Sequence, residues 1–386
     1  MQYDAPVTST ELLTSLQANP ALSTTTIEAI SSILGIETGS DTELTVAGFN
    51  GTTVTAPFGS TPSVVAGEIA GAAGENVTVS IPSVLQNADV FVFSSDANLT
   101  VNFASATASS ETQVSTQAAE VTPQAVDVET AERVLVTGNG NDTINITDGV
   151  STYVASGDGN DTITLGAGND IVDGGIGADV INTGAGNDTI VAGLGDTIDG
   201  GTGFDVVTVE DITDYRVFIE AVQDGTEGNN YHRAVVLQSQ DGTSDIDLTN
   251  VQLIEGADGN NIAIAATDDE GTVLRLYNTL LDRSADASGA QYWTNEVTNT
   301  GTSLSSIAQG FINSEEFQSN GELTNQQFVE TLYQNALGRE ADEGGLAFWT
   351  AQLDAGQTQG DVALGIVGSY EAEGNDPSVL IIHGQV

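Results

Sequence analysis

The chain contains 386 residues and carries a formal net charge of -49, because 55 acidic residues face only six basic ones. A charge of this sign repels phosphate backbones and anionic lipids, so we expect neither nucleic acid binding nor membrane insertion. The chain has no Cys, which excludes disulfides, thiolate nucleophiles and zinc-thiolate sites, and its basic residues are all Arg, which excludes a P-loop lysine. Because one-sided charge destabilises a compact state, a divalent cation is the predicted counter-charge.

Residues 1–40 are predicted to form two short amphipathic helices. Leu12 and Leu16 lie at helical spacing before Pro20 breaks the pattern. A second apolar period begins at Ile27 and stops at Gly35.

Residues 41–104 change to a period of two. Val77, Val79 and Ile81 alternate with polar residues, as in a half-buried strand. These residues are predicted to form a small β-sandwich domain, whose edge strands could pair between subunits. The segment 105–133, rich in Ser, Thr, Ala and Gln, is predicted to be a linker.

A nine-residue repeat dominates residues 134–209. Each copy has Gly at the second and fourth places, Asp at the sixth and an apolar residue at the eighth, which predicts a calcium-binding β-helix. The sixth-place acids, all predicted metal ligands, are Asp142, Asp161, Asp170, Asp179, Asp188, Asp196 and Asp205. The glycines predicted to contribute are Gly157, Gly159, Gly166, Gly168, Gly175, Gly177, Gly184 and Gly186. Asp158 adds a candidate carboxylate at the third place of its repeat.

Each place in the repeat has a physical role. Glycine allows a positive φ, which turns the backbone and directs its carbonyls towards an ion. Asp supplies a hard anionic oxygen at the end of that turn. Two repeats make one coil, so Asp161 is predicted to stack on Asp179, and Asp170 on Asp188. We expect several calcium ions between successive turns, held by carboxylates and carbonyls from both.

The eighth place is predicted to form an apolar ladder that points into the roll. Its residues are Ile144, Tyr153, Ile163, Val172, Ile181, Ile190, Ile198 and Val207. Two coils depart from the pattern. One has Val150 and Ser151 where an acid is expected, and the turn that ends at Asp196 lacks one residue. We expect absent or weaker calcium binding at these two places.

These repeats resemble the repeats-in-toxin (RTX) calcium-binding β-roll over about 75 residues. The resemblance implies a parallel β-roll, Ca²⁺ as the cofactor, and export through a type I channel that reads an uncleaved C-terminal signal. The chain end, acidic at Asp376 and apolar from Val379 to Ile382, is compatible with such a signal, whereas the N-terminus lacks the features of a cleaved one. Calcium sites with dissociation constants of about 10⁻⁴–10⁻³ M fill only outside the cell, so folding is expected to follow secretion.

Residues 210–266 are predicted to be further strands that cap the roll. Residues 267–386 contain a duplication, with copies at about 272–320 and 328–374. Its shared residues are Leu276, Arg283, Asp286, Gly289 and Trp293, which recur 56 residues later as Leu332, Arg339, Asp342, Gly345 and Trp349. This paired module resembles the secreted domain of unknown function 4214, and about three short helices are predicted in each copy.

The distinctive side chains of the duplication have structural interpretations. Asp286 precedes a helix, which favours an N-cap over a metal ligand. Arg283 is expected to pair with a helix-terminal carboxylate or with carbonyls. Trp293 lies at helical spacing from other apolar residues, which favours a core position over stacking on a sugar. The same holds for their equivalents in the second copy.

No catalytic motif is present, since the chain has neither His-Glu-x-x-His nor Gly-x-Ser-x-Gly, and neither His232 nor His383 has a motif partner. A glycosidase that uses two carboxylates stays open. The predicted fold is multi-domain, mainly β with a C-terminal all-α domain. The predicted function is non-enzymatic: a calcium-dependent secreted protein that polymerises with itself into a surface layer or biofilm matrix filament. The alternative is an adhesin or glycan-binding module that recognises a cell-surface or matrix polysaccharide without self-assembly.

Overall fold

The structure is a computed structural model that describes residues 7–20, 22–36, 41–56, 61–103, 131–223, 231–319, 321 and 323–383. Most of the predicted linker 105–133 therefore lies outside the described residues. The chain divides into two compact units. The first comprises residues 1–209, 213–221 and 234–251, and the second comprises residues 210–212, 222–233 and 252–386.

The first unit is a roll of short strands preceded by two helices. Its elements are β1 (Val7–Thr8), α1 (Ser9–Gln17), α2 (Thr24–Ile33), β2 (Glu43–Leu44), β3 (Val46–Phe49), β4 (Val54–Thr55), β5 (Val64–Glu68), β6 (Asn76–Ser80), β7 (Val90–Ser94), β8 (Asn98–Asn102), β9 (Arg133–Val136), β10 (Thr143–Asn145), β11 (Thr152–Ala155), β12 (Thr162–Thr164), β13 (Ile171–Asp173), β14 (Val180–Asn182), β15 (Thr189–Val191), β16 (Thr197–Asp199), β17 (Val206–Val209), a 3-10 turn (Ile212–Asp214), β18 (Tyr215–Gln223), β19 (Tyr231–Ser239) and β20 (Asp245–Thr249).

Successive strands of the roll alternate between two sheets. Within the first unit, sheet one runs in the order β4-β3-β5-β7-β9-β11-β13-β15-β17, and sheet two runs from β6 through β8, β10, β12, β14 and β16 to β20, β19 and β18. Neighbouring strands pair in parallel from β3 to β17 and from β6 to β20, whereas the pairs β3–β4 and β19–β20 are antiparallel. One nonapeptide supplies a three-residue strand and a glycine turn, so two of them complete a coil. The predicted parallel roll is confirmed.

The interior of the roll consists of one inward residue from each strand. In sheet two, Ile144, Ile163 and Ile181 are in register and no more than 1% exposed. In sheet one, Val172 and Ile190 occupy the same inward row. These apolar rows bury the side of each strand that the sequence period assigns to the core.

Tyr153 does not point into the roll, contrary to the prediction. Val154 is the residue in register with Val172, so the coil from Ile146 to Ala155 is displaced by one residue. Its extra residue moves Tyr153 to the outer face of sheet one, where its hydroxyl lies 3.2 Å from Thr26 Oγ1. A one-residue shift exchanges the two faces of a strand.

The two predicted N-terminal helices are present and cover the outer face of sheet one. Thr8 and Ser23 cap α1 and α2 by accepting hydrogen bonds from backbone N–H groups of the first turn. Leu12, Leu16 and Ile30 are buried against outward residues of sheet one. The helices thus bury an apolar face that the roll alone would expose.

The strands of residues 41–103 do not form a separate sandwich. β7 pairs in parallel with β9, and β8 pairs in parallel with β10, so these residues add coils to the same roll. We call residues 43–103 the N-terminal coils and residues 137–209 the repeat coils. A period of two identifies strands but not their direction, which is why the sequence alone suggested an independent domain.

The second unit is mainly helical. Its elements are β21 (Leu253–Gly256), β22 (Asn261–Ala265), α3 (Asp268–Leu281), α4 (Ala287–Asn295), a π-helical turn (Glu296–Thr300), α5 (Leu304–Asn313), α6 (Glu315–Gln318), α7 (Asn325–Leu337), α8 (Glu343–Asp354), α9 (Gln359–Val367), α10 (Tyr370–Asn375) and β23 (Val379–Ile381). The two copies are α3–α6 and α7–α10. Each has four helices and not about three, because Ser314 and Ser369 cap an additional short helix. The predicted C-terminal all-α domain is confirmed, with β23 pairing in parallel with β22.

Candidate metal centre

Two columns of aspartates run along the two edges of the repeat coils. Column one consists of Asp142, Asp161, Asp179 and Asp196, and column two consists of Asp170, Asp188 and Asp205. In both columns the Oδ1 atom of one aspartate accepts a hydrogen bond from the backbone N–H of the aspartate one coil earlier. The distance is 2.8 Å from Asp161 N to Asp179 Oδ1 and 2.7 Å from Asp170 N to Asp188 Oδ1. The structure therefore places the aspartates in the stacked order that the repeat suggests.

In four of these aspartates the second carboxylate oxygen is left for another ligand, whereas Asp196 Oδ2 accepts a hydrogen bond from Gly193 N at 2.7 Å. The Oδ2 atoms of Asp142, Asp161, Asp179 and Asp188 are buried and have no hydrogen-bond partner. Each of these four residues is only 1% exposed. A buried anionic oxygen without a donor is costly, and it marks a position that a cation fits.

Burial raises the pKa of every aspartate in the two columns. The values reach about 7 for Asp142 and Asp179, and about 8 for Asp170 and Asp205. Neighbouring carboxylates act in the same direction, since Asp188 raises the pKa of Asp170 further. The columns therefore need either protons or a positive ion to remain packed at neutral pH.

The eight predicted glycines all lie in the turns between the strands. At Gly175 the φ angle is +83°, and a Cβ atom would lie 2.0 Å from the carbonyl oxygen of Gly157. The same carbonyl accepts a hydrogen bond from Ile176 N at 3.0 Å. The glycines thus allow close stacking of the turns, while their role as carbonyl ligands stays a prediction.

Asp158 lies apart from the columns, on the exposed side of its turn. Its backbone carbonyl accepts a hydrogen bond from Gly140 N at 2.7 Å, which joins two successive turns on the edge that carries column one. The structure therefore does not bring its carboxylate together with the other predicted ligands.

A second polar ladder, which was not predicted from the sequence, runs beside the aspartates. The Oδ1 atom of Asn141 accepts from Asn160 N at 2.9 Å, and that of Asn160 accepts from Ala178 N at 3.0 Å. On the other edge Asn169 Oδ1 accepts from Asn187 N at 2.9 Å. The signal for this ladder is the recurrence of Asn at the fifth place, directly before four of the seven aspartates: Asp142, Asp161, Asp170 and Asp188.

The two arginines that recur in the duplication, Arg283 and Arg339, bind carboxylates of their own domain. Arg283 donates to Glu316 at 2.7 and 3.1 Å and to Asp286 at 3.0 Å, with its guanidinium carbon 5.0 Å from the ring centroid of Tyr277. Asp286 also caps α4 by accepting from Gly289 N. The second copy repeats this arrangement around Arg339. The expected structural roles of the arginine and the N-cap aspartate agree with these contacts.

Within the part of the chain that the structure describes, no three His or acidic side chains converge on one point. The candidate metal ligands are the carboxylates stacked along the columns, and an ion held there would also need backbone carbonyl oxygens. The described helices include none that is both long and apolar enough to cross a membrane.

Two family models match the chain. Residues 155–190 match the RTX calcium-binding nonapeptide repeat. The repeat coils are an RTX calcium-binding roll. Residues 261–320 and 308–375 match the domain of unknown function DUF4214, in agreement with the two helical copies. A search of curated proteins and a search of solved structures each gave no match.

RTX repeats bind Ca²⁺, and the donor set of the columns suits that ion because Ca²⁺ prefers carboxylate and carbonyl oxygens. When bound, calcium would supply the positive charge that the buried Oδ2 atoms lack. RTX repeats are typical of exported proteins, and neither matched family is typically enzymatic.

Proposed function

We propose that the chain is a secreted, non-enzymatic structural protein that folds with calcium and joins copies of itself on the cell surface, in a surface layer or a biofilm matrix filament. The buried aspartate columns support the calcium dependence. Type I secretion fits this proposal, because intracellular calcium is too low to fill weak sites and the columns would fold only after export.

The observation that carries self-assembly is the open edge of strand β6. Among the strands that the structure describes, β6 and β18 are the two end strands of sheet two, and β6 has β8 as its single neighbour. At the same end of sheet one, the edge is blunted by the two-residue strand β4. A longer unpaired strand is a template for pairing with another chain.

The backbone of β6 shows which groups face the open side. Glu75 O accepts from Asn98 N at 2.8 Å, and Ile81 N donates to Asn102 O at 3.3 Å, so the odd-numbered residues point towards β8. Because successive residues of a strand alternate, the N–H group of Thr78 points to the open side. Thr78→Pro therefore removes a donor from the open edge without removing one from the roll.

Sedimentation velocity in millimolar calcium tests the proposal. We expect the wild-type chain to form concentration-dependent oligomers that dissociate in chelator. Thr78→Pro should remain monomeric, whereas the matched control Thr78→Val keeps the N–H group and should assemble. A wild-type chain that stays monomeric at all concentrations would contradict self-assembly and favour the adhesin.

A glycan-binding function is the second candidate, favoured by a pair of matched aromatic surfaces. Tyr292 and Phe348 occupy equivalent places in the two helical copies, and each is 55% exposed. Each packs edge-on against the following tryptophan, with ring centroids 4.8 Å apart at Trp293 and 4.9 Å apart at Trp349. Two equal aromatic surfaces suit a ligand that itself repeats, such as a polysaccharide.

Co-sedimentation with insoluble cellulose and chitin tests the second candidate. The double variant Tyr292→Ala/Phe348→Ala should lose binding while its oligomeric state is unchanged. Tyr370→Ala is the control, because Tyr370 is 88% exposed and lies outside both aromatic pairs. Equal binding by the wild-type chain and the double variant would exclude these surfaces.

A further inference from the structure

Column two begins at a turn that contains no aspartate at the sixth place. Thr152 stands there, and not Val150 or Ser151 as the sequence spacing predicted, and its N–H group donates to Asp170 Oδ1 at 2.7 Å. Ser151 takes the fifth place, where its Oγ accepts from Asn169 N at 2.9 Å, as an asparagine does elsewhere. The turn 148–152 therefore stacks on the next turn of the column although it lacks the calcium-binding carboxylate.

A guanidinium group occupies this end of the column. Arg133 precedes Thr152 by one coil in the register of sheet one and is only 5% exposed. Its Nη1 and Nη2 atoms donate to both oxygens of Asp148, at 2.9 and 2.7 Å. Its Nε and Nη2 atoms donate to Thr152 Oγ1, at 3.2 and 2.9 Å. The guanidinium carbon lies 4.7 Å from the ring centroid of Phe103, which covers the group from one side.

These contacts give the turn its own internal charge balance. Asp148 supplies the carboxylate and Arg133 the positive charge, in a bidentate pair that satisfies both oxygens. In the later turns of the column, the carboxylate is present but its positive partner has to come from solution. The turn 148–152 is thus complete as the chain folds, without a bound ion.

The N-terminal coils and strand β9, which contains Arg133, are stabilised by apolar packing and not by a ligand. Phe91, Phe93, Leu99 and Leu135 are no more than 1% exposed, and the ring centroids of Phe91 and Phe103 lie 5.0 Å apart. Helices α1 and α2 cover the outer face of the same coils. Burial of large apolar side chains is independent of calcium.

We propose that Arg133 is a built-in cation that takes the place of calcium at the N-terminal end of column two, so that the N-terminal coils and residues 131–155 fold without calcium and template the repeat coils. Asp142, the first aspartate of column one, also lies in this segment, but it meets the next carboxylate of its column only when the coil of Asp161 stacks on it. Strand β11, paired on one side with β9, is then already ordered, and its free edge can pair with β13. Calcium-driven folding proceeds from that edge towards the C-terminal end of the roll. This inference requires calcium binding by the repeats but not self-assembly.

Hydrogen exchange of the full chain in chelator, read by mass spectrometry, tests the template. We expect protected amides at residues 64–103 and 131–155, and exchange at least tenfold faster at residues 157–209. Millimolar calcium should protect both regions. Equal exchange of the two regions in chelator would overturn the proposal.

The role of Arg133 is tested with Arg133→Met and Arg133→Lys in chelator. Loss of the positive charge in Arg133→Met should abolish protection at residues 131–155, whereas Arg133→Lys keeps the charge and should retain most of it. Arg283→Met is the matched control, since Arg283 also pairs with carboxylates beside an aromatic ring but lies in the helical unit. Retained protection in Arg133→Met, or equal loss in the Met and Lys variants, would contradict a role for the charge.

A calcium count separates a built-in cation from an ordinary buried ion pair. The double variant Arg133→Ala/Thr152→Asp removes the guanidinium and restores the sixth-place carboxylate, so it should bind one more calcium ion per chain in equilibrium dialysis. A purely structural arginine predicts no gain. An unchanged count in a variant that folds in calcium would therefore overturn the substitution of calcium by Arg133, and a variant that does not fold leaves the decision to the Met and Lys comparison.

Discussion

The N-terminal coils and the repeat coils share one backbone path but are stabilised differently. In the N-terminal coils, large side chains such as Phe91 and Leu99 fill the interior, and two helices cover one sheet. In the repeat coils, aliphatic residues such as Val172 and Ile190 fill it, and buried aspartates line both edges. A parallel roll can therefore be held by apolar volume or by a bound ion, and this chain uses both in series.

The difference predicts which part of the roll depends on calcium. Chelation should produce the largest effect of all, because the columns place like charges at the spacing of neighbouring strands, about 4.8 Å. We expect circular dichroism to show loss of strand signal from the repeat coils beyond residue 155 in chelator and recovery on titration with millimolar calcium. The helical signal of the second unit should stay constant and serves as an internal control. An identical spectrum with chelator and with calcium would contradict the claim that the two parts of the roll differ in their dependence on calcium.

A single column aspartate should matter more than any surface acid. Asp179→Ala removes a candidate calcium ligand and also the acceptor of Asp161 N. An unsatisfied buried N–H costs about 1–3 kcal/mol, so the melting temperature should fall by about 2–12 °C, with a larger calcium requirement.

The matched control for Asp179→Ala is Glu315→Ala. Glu315 is exposed in the first turn of α6, and its removal reduces the net negative charge without touching the roll. We expect a neutral or slightly stabilising effect. Thermal melts of both variants at several calcium concentrations make the comparison. Equal shifts in melting temperature would show that the column aspartates contribute no more than a surface acid does.

The pH dependence in chelator should have an unusual sign. The pKa of the buried carboxyl is about 7 at Asp142 and about 8 at Asp170 in the folded chain, above the ordinary value of 3.8. The folded state thus binds protons that the unfolded state has released, and this contribution to stability is complete below about pH 4 and lost as pH rises through 7 to 8. Urea midpoints at pH 5, 6.5 and 8 in chelator should fall in that order.

Carboxylates of the helical unit predict the opposite trend and provide the contrast. Although burial opposes it, hydrogen bonds from Gly289 N, Ser288 and Arg283 hold the pKa of Asp286 below its ordinary value. That contribution is present above the ordinary pKa and is lost as the pH falls through the lowered value. A repeat-coil midpoint that rises between pH 5 and 8 in chelator would contradict the column electrostatics.

The sequence predicts the repeat coils far better than the N-terminal coils, for a physical reason. The nine-residue repeat specifies nearly every turn, through glycines at two places and an aspartate at a third. It therefore predicts both the parallel roll and the stacking of Asp161 on Asp179. The N-terminal coils have no such period, and alternation of apolar residues gives strands without their direction or partners.

Features that depend on contacts between neighbouring coils could not be predicted from the sequence either. The outward position of Tyr153 follows from one extra residue in its coil, which is visible only in the register with Ile171. The pairing of Arg133 with Asp148 and Thr152 requires the coils to be stacked first. The fifth-place asparagines carried a periodic signal, and they could have been identified from their recurrence.

The smallest expected effect concerns the contact between Tyr153 and α2. Tyr153→Phe removes a buried hydroxyl that lies 3.2 Å from Thr26 Oγ1, and Thr26 keeps a second partner because Ser23 Oγ lies 2.8 Å away. A neutral hydrogen bond contributes about 0.5–1.5 kcal/mol, so the loss should be modest. This contact lies in the part of the roll that apolar burial stabilises without calcium. The loss in stability should therefore be the same with chelator and with calcium. Tyr292→Phe, at an exposed position of the helical unit, is the control and should have no effect. Denaturant titrations of the two variants under both conditions measure the difference, and a loss at Tyr153 that appears only in calcium would mean that α2 docks after the ion binds, not before.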